Sequence, residues 1–356
     1  MDLLRALVVV SEKAANIARV CRRDGHLFEL LVQKKTTAEA NPRFVEDFKT
    51  LADVLIQEMV KHDIGKQFKE LSANIKGEEN NVFKNKLGEK ICVEVKPSEE
   101  ETSSLLEIVL NGDHLAATLL AAEVHRDLDI EHIKTDVPET EFNVNYEELG
   151  IWIDPIDCTA EYVHGGSGES TNNIHKNGLK CVTILIGAFN RTTGEPVMGV
   201  INRPFLDSED FQHSQQCIWG VSLPDLKCNS RLNTISKKNI ICISSSEKDD
   251  IKKKLTSHGY TLIEASGAGY KILTVILGLA DAYILTKGTT FKWDTCAPHA
   301  ILKSLGGDII NFLQITSSDE SKSIKYFNEE NNCNLNGIIV YRDENQLNEI
   351  VNILKL

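Results

Sequence analysis

No apolar run in this 356-residue chain is long enough to cross a bilayer, so a membrane-spanning protein is not expected. The start, Met1-Asp2-Leu3-Leu4-Arg5, lacks the basic segment and small-residue cleavage site of a secretory leader. Cysteine is present but unorganised: there are 9, an odd number, with no C-x-x-C pair. That spacing argues against a disulfide framework and a zinc site, and a reducing cytoplasm is the expected location. A surplus of positive charge is missing too, since 39 Lys and Arg stand against 52 Asp and Glu, for a formal net charge of −13. Such a chain lacks the electrostatic footprint of a nucleic-acid binder. Any phosphate ligand must then be received by metal ions, a few local lysines and backbone N–H groups. No internal repeat is visible.

What is present is an ordinary globular composition and enough length for two domains. Residues 3–20 carry a helical apolar stripe: Leu4, Leu7, Val8, Ala15, Ile17 and Ala18. A second helix is expected from about Pro42 to Lys61, with Phe44, Phe48, Leu51, Val54, Leu55 and Met59 apolar. Asp53 falls inside it, where Asp is a poor helix former; taken alone, an exposed carboxylate explains it. Ile75-Lys76-Gly77-Glu78-Glu79 joins a short apolar segment to a glycine and two acids. Gly77 would serve a special dihedral or a close approach.

Residues 88–96 alternate like a strand. Thr102–Leu110 and His114–Asp127 read as helices broken at Asn111-Gly112, and 128–148 as loop. Leu179–Ala188 and Pro196–Asn202 form a hairpin candidate, with a further strand near Gln216–Val221. The pattern then changes. Strands at 239–243, 260–265, 281–286, 308–312 and 337–341 alternate with helices at 247–258, 267–279, 295–305 and 344–354. The expectation is an α+β domain over 1–230 and an α/β domain over 231–356. The polar stretch 313–335 reads as a surface excursion.

The stretch that organises the rest is Gly150-Ile151-Trp152-Ile153-Asp154-Pro155-Ile156-Asp157-Cys158-Thr159. An apolar strand should stop at Asp154-Pro155, leaving two acids at its carboxyl end, where open α/β sheets place ligands. Crowded carboxylates fit a hard cation such as Mg2+. A solvated Asp-Pro turn fits these residues alone equally well. Late in the chain, Trp293-Asp294 precedes Pro298, so a helix should begin near Asp294, which could be merely its N-cap. Of the histidines, His125, His132 and His299 read as structural or solvated.

Taken together, Glu78, the segment Trp152-Ile153-Asp154-Pro155-Ile156-Asp157-Cys158-Thr159 and the segment Trp293-Asp294-Thr295-Cys296-Ala297-Pro298-His299-Ala300-Ile301-Leu302 resemble the lithium-sensitive, Mg2+-dependent inositol phosphatase superfamily. The resemblance implies a layered αβαβα sugar-phosphatase fold and a monomer. It implies two or three Mg2+ ions, with Li+ as inhibitor, and the metal ligands Glu78, Glu79, Asp154, the Ile156 carbonyl, Asp157 and Asp294. It implies in-line attack on a phosphate monoester by a metal-activated water, oriented by Asp53 and Thr159. Substrate contacts would come from Asp157, Cys158, Thr159, Ser246, Lys248, Gly267, Ala268, Lys271 and Thr289. The implied reaction removes the 1-phosphate of inositol 1,4-bisphosphate and inositol 1,3,4-trisphosphate. The alternatives are a 3'(2'),5'-bisphosphate nucleotidase and a non-catalytic inositol-phosphate-binding protein. Cys158 departs from the Ser or Gly usual there, and residues 222–238 look short for the family.

Overall fold

The computed structural model describes residues 2–23, 28, 31–35, 48–85, 87–206, 216–232, 237–316, 322–327 and 331–355. Two sheets organise it. The first has six strands: β1 (Ile75–Gly77), β2 (Leu149–Asp157), β3 (Thr183–Asn190), β4 (Pro196–Asn202), β5 (Cys217–Leu223) and β6 (Leu226–Asn229). Their order is β6-β5-β4-β3-β2-β1, antiparallel except for the parallel β1–β2 pair. The second has five: β7 (Ile240–Ile243), β8 (Thr261–Glu264), β9 (Ala282–Leu285), β10 (Asp308–Asn311) and β11 (Ile338–Tyr341). They run β8-β7-β9-β11-β10, with β7 parallel to both neighbours.

The helices are α1 (Leu3–Arg23), α2 (Leu51–Gln67), α3 (Glu99–Val109), α4 (His114–His125), α5 (Thr159–His164), α6 (Asp249–Ser257), α7 (Ala268–Ile276), α8 (Lys292–Ser304) and α9 (Glu344–Lys355). Side chains alternate across each strand, and the three cores follow from that alternation. Ile151, Ile153, Ile184 and Ile186 join α1 and α2 in one core. Trp152, Leu185 and Phe189 point the other way, into a core shared with α7, α8 and one face of the second sheet. The remaining face of that sheet, including Ile241, Ile243 and Ile284, packs on Ile251 of α6 and Ile350 of α9. The result is the expected order of layers, αβαβα.

Glycines allow the middle layer to sit close. A Cβ on Gly199 would lie 2.0 Å from the Ala297 carbonyl oxygen, and one on Gly187 would lie 2.4 Å from the Ala297 nitrogen. Helix α8 therefore lies almost on the backbone of β3 and β4.

Several local expectations change. The second helix does not run from Pro42: Phe48–Thr50 is a strand paired with Val32–Lys34, and α2 begins at Leu51. Pro42 and Phe44 lie outside the described residues. Asp53 is thus not mid-helix but the third residue of α2, in a capping box with Thr50. Pro155 does not end its strand, since β2 continues to Asp157 with a register irregularity between Asp154 and Asp157. A proline is tolerated there because the ladder is already interrupted. Pro298 lies inside α8, which starts at Lys292. Burial between two sheets outweighs the roughly 3 kcal/mol that an interior proline costs. The strand expected over 88–96 shrinks to Lys90–Cys92.

Candidate active site

Asp154 and Asp157 stand three residues apart on β2. On a regular strand they would face opposite sides. The irregularity between them lets both turn toward Asp294, which enters from the first turn of α8. One carboxylate oxygen from each of these three buried acids lies within 4.8 Å of the other two.

The three are held differently. Asp157 accepts the Thr183 hydroxyl at 3.1 Å, the Ala268 N–H at 3.1 Å and the Tyr270 N–H at 3.3 Å. Asp294 accepts the Phe291 N–H at 2.6 Å, closing a capping-box contact at the start of α8. One oxygen of Asp154, Oδ1, is buried with no hydrogen-bond partner among the described residues. Burial drives the Asp154 carboxyl well above the carboxylate range, and the charges of Glu78, Asp157 and Asp294 push it further. Asp294 is raised to about 8 by burial and then by Asp157 and Glu78. Asp157 is also raised by burial, against the opposing pull of Lys271 and its hydrogen bonds.

A second acidic group adjoins the first. The Glu78 N–H donates to the Ile153 carbonyl at 3.1 Å, fixing this residue beside β2. Gly77 is the close approach anticipated for it, because a Cβ would lie 2.0 Å from Gln57 Oε1. Gln57 in turn accepts the Glu79 N–H at 2.9 Å and donates to the Glu79 carbonyl. The Lys35 ammonium lies 2.6 Å from Glu78 and 2.7 Å from Glu79, and Lys49 lies 3.7 Å from Glu79. Burial lifts Glu79 to about 8, with Glu78 adding to the effect.

Asp53 is buried, and its Oδ2 accepts the Thr50 N–H at 2.7 Å and the Thr50 hydroxyl at 2.6 Å. Burial raises it to about 7; the Thr50 bonds oppose this and the Glu78 charge adds to it. The Thr159 hydroxyl donates to the Ile156 carbonyl at 3.0 Å. Among the described residues no hydrogen bond joins Asp53 to Thr159. Cys158, half-buried in the turn before α5, has a left-handed backbone with φ 75°.

The expected substrate contacts divide. The Ala268 N–H is already used by Asp157, so it is not free for an anion. Gly267 has φ 75°, and a Cβ there would meet Asp157 Oδ2 at 2.9 Å. Lys271 does not point outward: it is fully buried, and its ammonium donates to the carbonyls of Ala265 at 3.0 Å and Gly267 at 2.7 Å. It closes the turn that covers Asp157. Ser246 and Lys248 lie exposed after β7, and half-buried Thr289 follows β9. Glu247, between the first two, joins these loops by accepting the Thr286 N–H at 2.9 Å.

Thr50, Gln57, Thr183 and Lys35 were not foreseen. Only the first has a sequence signal, the Thr50-x-x-Asp53 capping pattern. His299, buried against Asp308 at 2.6 Å and Tyr326 at 2.9 Å, is structural, as its sequence context suggests.

Residues 11–318 match the inositol monophosphatase family. The chain is 42% identical to the inositol polyphosphate 1-phosphatase of Mus musculus, a match that covers 99% of this chain and 97% of that protein. It is 26% identical to 3'(2'),5'-bisphosphate nucleotidase 1 of Mus musculus, over 92% of this chain and 88% of that one. Among solved structures, an IMPase of Thermotoga maritima superposes with a TM-score of 0.55 at 15% identity, covering 100% of this chain and 97% of the other. At that identity the likeness is one of fold.

Proposed function

The chain belongs to the inositol monophosphatase family and has its layered fold, and on that premise we propose that it is an inositol polyphosphate 1-phosphatase dependent on Mg2+. The observation that carries the substrate class is identity over nearly the whole length: 42% to an inositol polyphosphate 1-phosphatase against 26% to a nucleotidase. The reaction is removal of the 1-phosphate from inositol 1,4-bisphosphate and inositol 1,3,4-trisphosphate.

The donor set suits the ion. Asp154, Asp157 and Asp294 offer hard oxygens within 4.8 Å of one another, and Asp154 Oδ1 has no hydrogen-bond partner among the described residues. Two or three ions would be held by these acids with Glu78, Glu79 and the Ile156 carbonyl. When bound there, Mg2+ would supply polarisation of the phosphate and neutralisation of charge on the leaving oxygen.

The chain's own groups do the rest. Asp53, with its carboxyl near 7, accepts a proton from the attacking water close to neutral pH. The Thr159 hydroxyl, donating to Ile156, leaves its oxygen lone pairs to orient that water. The N–H groups of Cys158 and Thr159 receive the phosphate. Ser246, Lys248 and Thr289 serve the second phosphate from the loops of the second sheet. Gly267, Ala268 and Lys271 shape the Asp157 wall of the pocket and need not touch substrate.

The same reading includes Li+ inhibition, a monomer, a cytoplasmic location, and two domains divided at residues 230 and 231. The first sheet's last strand ends at Asn229 and the second sheet's first begins at Ile240, which supports that division. No helix among the described residues is long and apolar enough to cross a membrane.

Phosphate release from inositol 1,4-bisphosphate, inositol 1-phosphate and 3'-phosphoadenosine 5'-phosphate, with Mg2+ and with or without Li+, tests the proposal. Release mainly from inositol 1,4-bisphosphate, suppressed by Li+, is expected. Release mainly from the nucleotide overturns the proposal in favour of a nucleotidase, and release from none favours a binding protein.

A further inference from the structure

The polar stretch 313–335 reads from sequence as a surface excursion, yet its end lies against the first turn of α8. Cys333 bridges Phe291 in antiparallel fashion, and the Lys292 N–H donates to the Asn332 carbonyl at 2.9 Å. A Cβ on Gly288 would lie 2.7 Å from the Leu335 Cα, so the two backbones nearly touch. Between these contacts sits Asn334, only 8% exposed. Its N–H donates to the Thr290 carbonyl at 2.8 Å. Its side-chain amide donates to Thr290 Oγ1 at 3.2 Å, the Phe291 carbonyl at 3.2 Å and Thr295 Oγ1 at 3.4 Å. The carbonyl can only accept, which assigns the NH2 group to this side of the amide.

These partners bracket Asp294. Phe291 is the N-cap of α8, and its N–H holds the Asp294 carboxylate at 2.6 Å. Thr295 follows Asp294, and its hydroxyl donates to the same Phe291 carbonyl at 3.1 Å. Once ionised, Asp294 would be repelled by Asp154 and Asp157, with which it shares its site, and that favours its withdrawal. Something must hold the turn against that force. Asn334 is the buried group that ties both sides of the turn together.

We infer that Asn334 is a positioning residue for Asp294, acting through Thr290, Phe291 and Thr295. The inference rests on the Mg2+ reading proposed above. Asn334 lies beyond residues 11–318, the extent of the family match, so the device belongs to a part of this chain outside that match. Without the amide, the turn relaxes and the three carboxylates no longer converge on one ion.

The test compares Asn334→Ala and Asn334→Ser with Asn331→Ala. Asn331 is exposed on the same segment, and its side chain accepts only the Cys333 N–H among the described contacts. Mg2+ affinity is read by titration calorimetry, alongside the thermal midpoint without Mg2+, and kcat and KM. Both Asn334 variants are expected to weaken Mg2+ binding about tenfold, as loss of a ligand's support does. KM at saturating Mg2+ should stay near wild type, and Asn331→Ala should bind Mg2+ normally. Wild-type Mg2+ affinity in a folded Asn334 variant overturns the inference, as does an equal loss in Asn331→Ala. If one Asn334 variant fails to fold, the other carries the comparison. A wild-type chain that takes up no Mg2+ contradicts the proposed function itself, which keeps the two failures apart.

Discussion

The Asp157 carboxylate accepts the Ala268 N–H at 3.1 Å, across 111 residues of chain. Asp157 ends a strand of the first sheet, and Ala268 opens a helix packed between the sheets. One acid therefore both belongs to the cluster with Asp154 and Asp294 and caps the helix that closes over it. A carboxylate at a helix N-terminus is favourable there, because it meets free N–H groups and the positive end of the dipole. In Asp157→Asn the new amide NH2 would face one of these N–H groups or the Thr183 hydroxyl. Phosphate release should fall by at least about 100-fold, more than the loss of an outer support costs. Mg2+ titration of the variant should show the same weakening. Wild-type turnover in Asp157→Asn would remove the residue from the metal set.

Asp53 is a separate case, because it stands apart from the three clustered aspartates and is bonded to Thr50. Asp53→Asn keeps the shape of the capping contact and removes the proposed base. The expected result is a loss in kcat of about 10²–10⁴-fold, the range for a general base. Mg2+ affinity should change far less. A variant that keeps its kcat would show that the proton leaves by another route.

Stability should depend on pH in an unusual direction. Asp53, Glu79 and Asp294 are raised to about 7, 8 and 8, and Asp154 and Asp157 are raised as well. Between the ordinary carboxylate range and pH 8 these five acids therefore hold more protons than when unfolded, a bias that His125 and His299, both lowered by burial, only partly oppose in the folded chain. Its stability is greatest at low pH within that window and falls as pH rises through 7 to 8. In EDTA, the urea midpoint should be lower at pH 8.5 than at pH 6. Saturating Mg2+ should remove most of the difference. A midpoint in EDTA that rises from pH 6 to 8.5 would contradict the raised acids.

The readability of this site from sequence was uneven, for physical reasons. Asp154, Asp157 and Asp294 stand in short contiguous motifs, and it is the family resemblance of those motifs, rather than the strand end and helix start read from their prolines, that makes them legible. The αβαβα layering was reached through resemblance; the alternation of apolar residues along β2 and β3 then accounts for its cores. Asp53 was placed wrongly because apolar residues run on at helical spacing through Phe48, which instead belongs to a strand. Pro155 and Pro298 were read by a local rule that tertiary burial and a bulge override. Lys271 looked like a phosphate ligand because its spacing says nothing of which way a lysine turns. Asn334 was hidden in a polar run, since a single buried amide leaves no periodic trace.

Gly269 offers a test of how tightly the helix closes over the site. It is the second residue of α7, where Gly→Ala would normally gain up to about 1 kcal/mol in helix propensity. Here a Cβ would meet Leu185 Cδ1 at 2.6 Å, Thr183 Oγ1 at 2.9 Å and Asp157 Oδ2 at 3.0 Å. Gly269→Ala should instead lose about 1–3 kcal/mol, the cost of overpacking. Urea unfolding of the variant reads this directly. A gain in stability would mean that α7 sits further from Asp157 than described.

The central claim is that the clustered acids serve removal of one particular phosphate from an inositol polyphosphate. Its most direct measurement is phosphorus NMR of the product formed from inositol 1,4-bisphosphate and Mg2+. The account predicts inositol 4-phosphate and free phosphate, with the 4-phosphate resonance retained. Formation of inositol 1-phosphate, or no turnover by protein that has bound Mg2+, would contradict it.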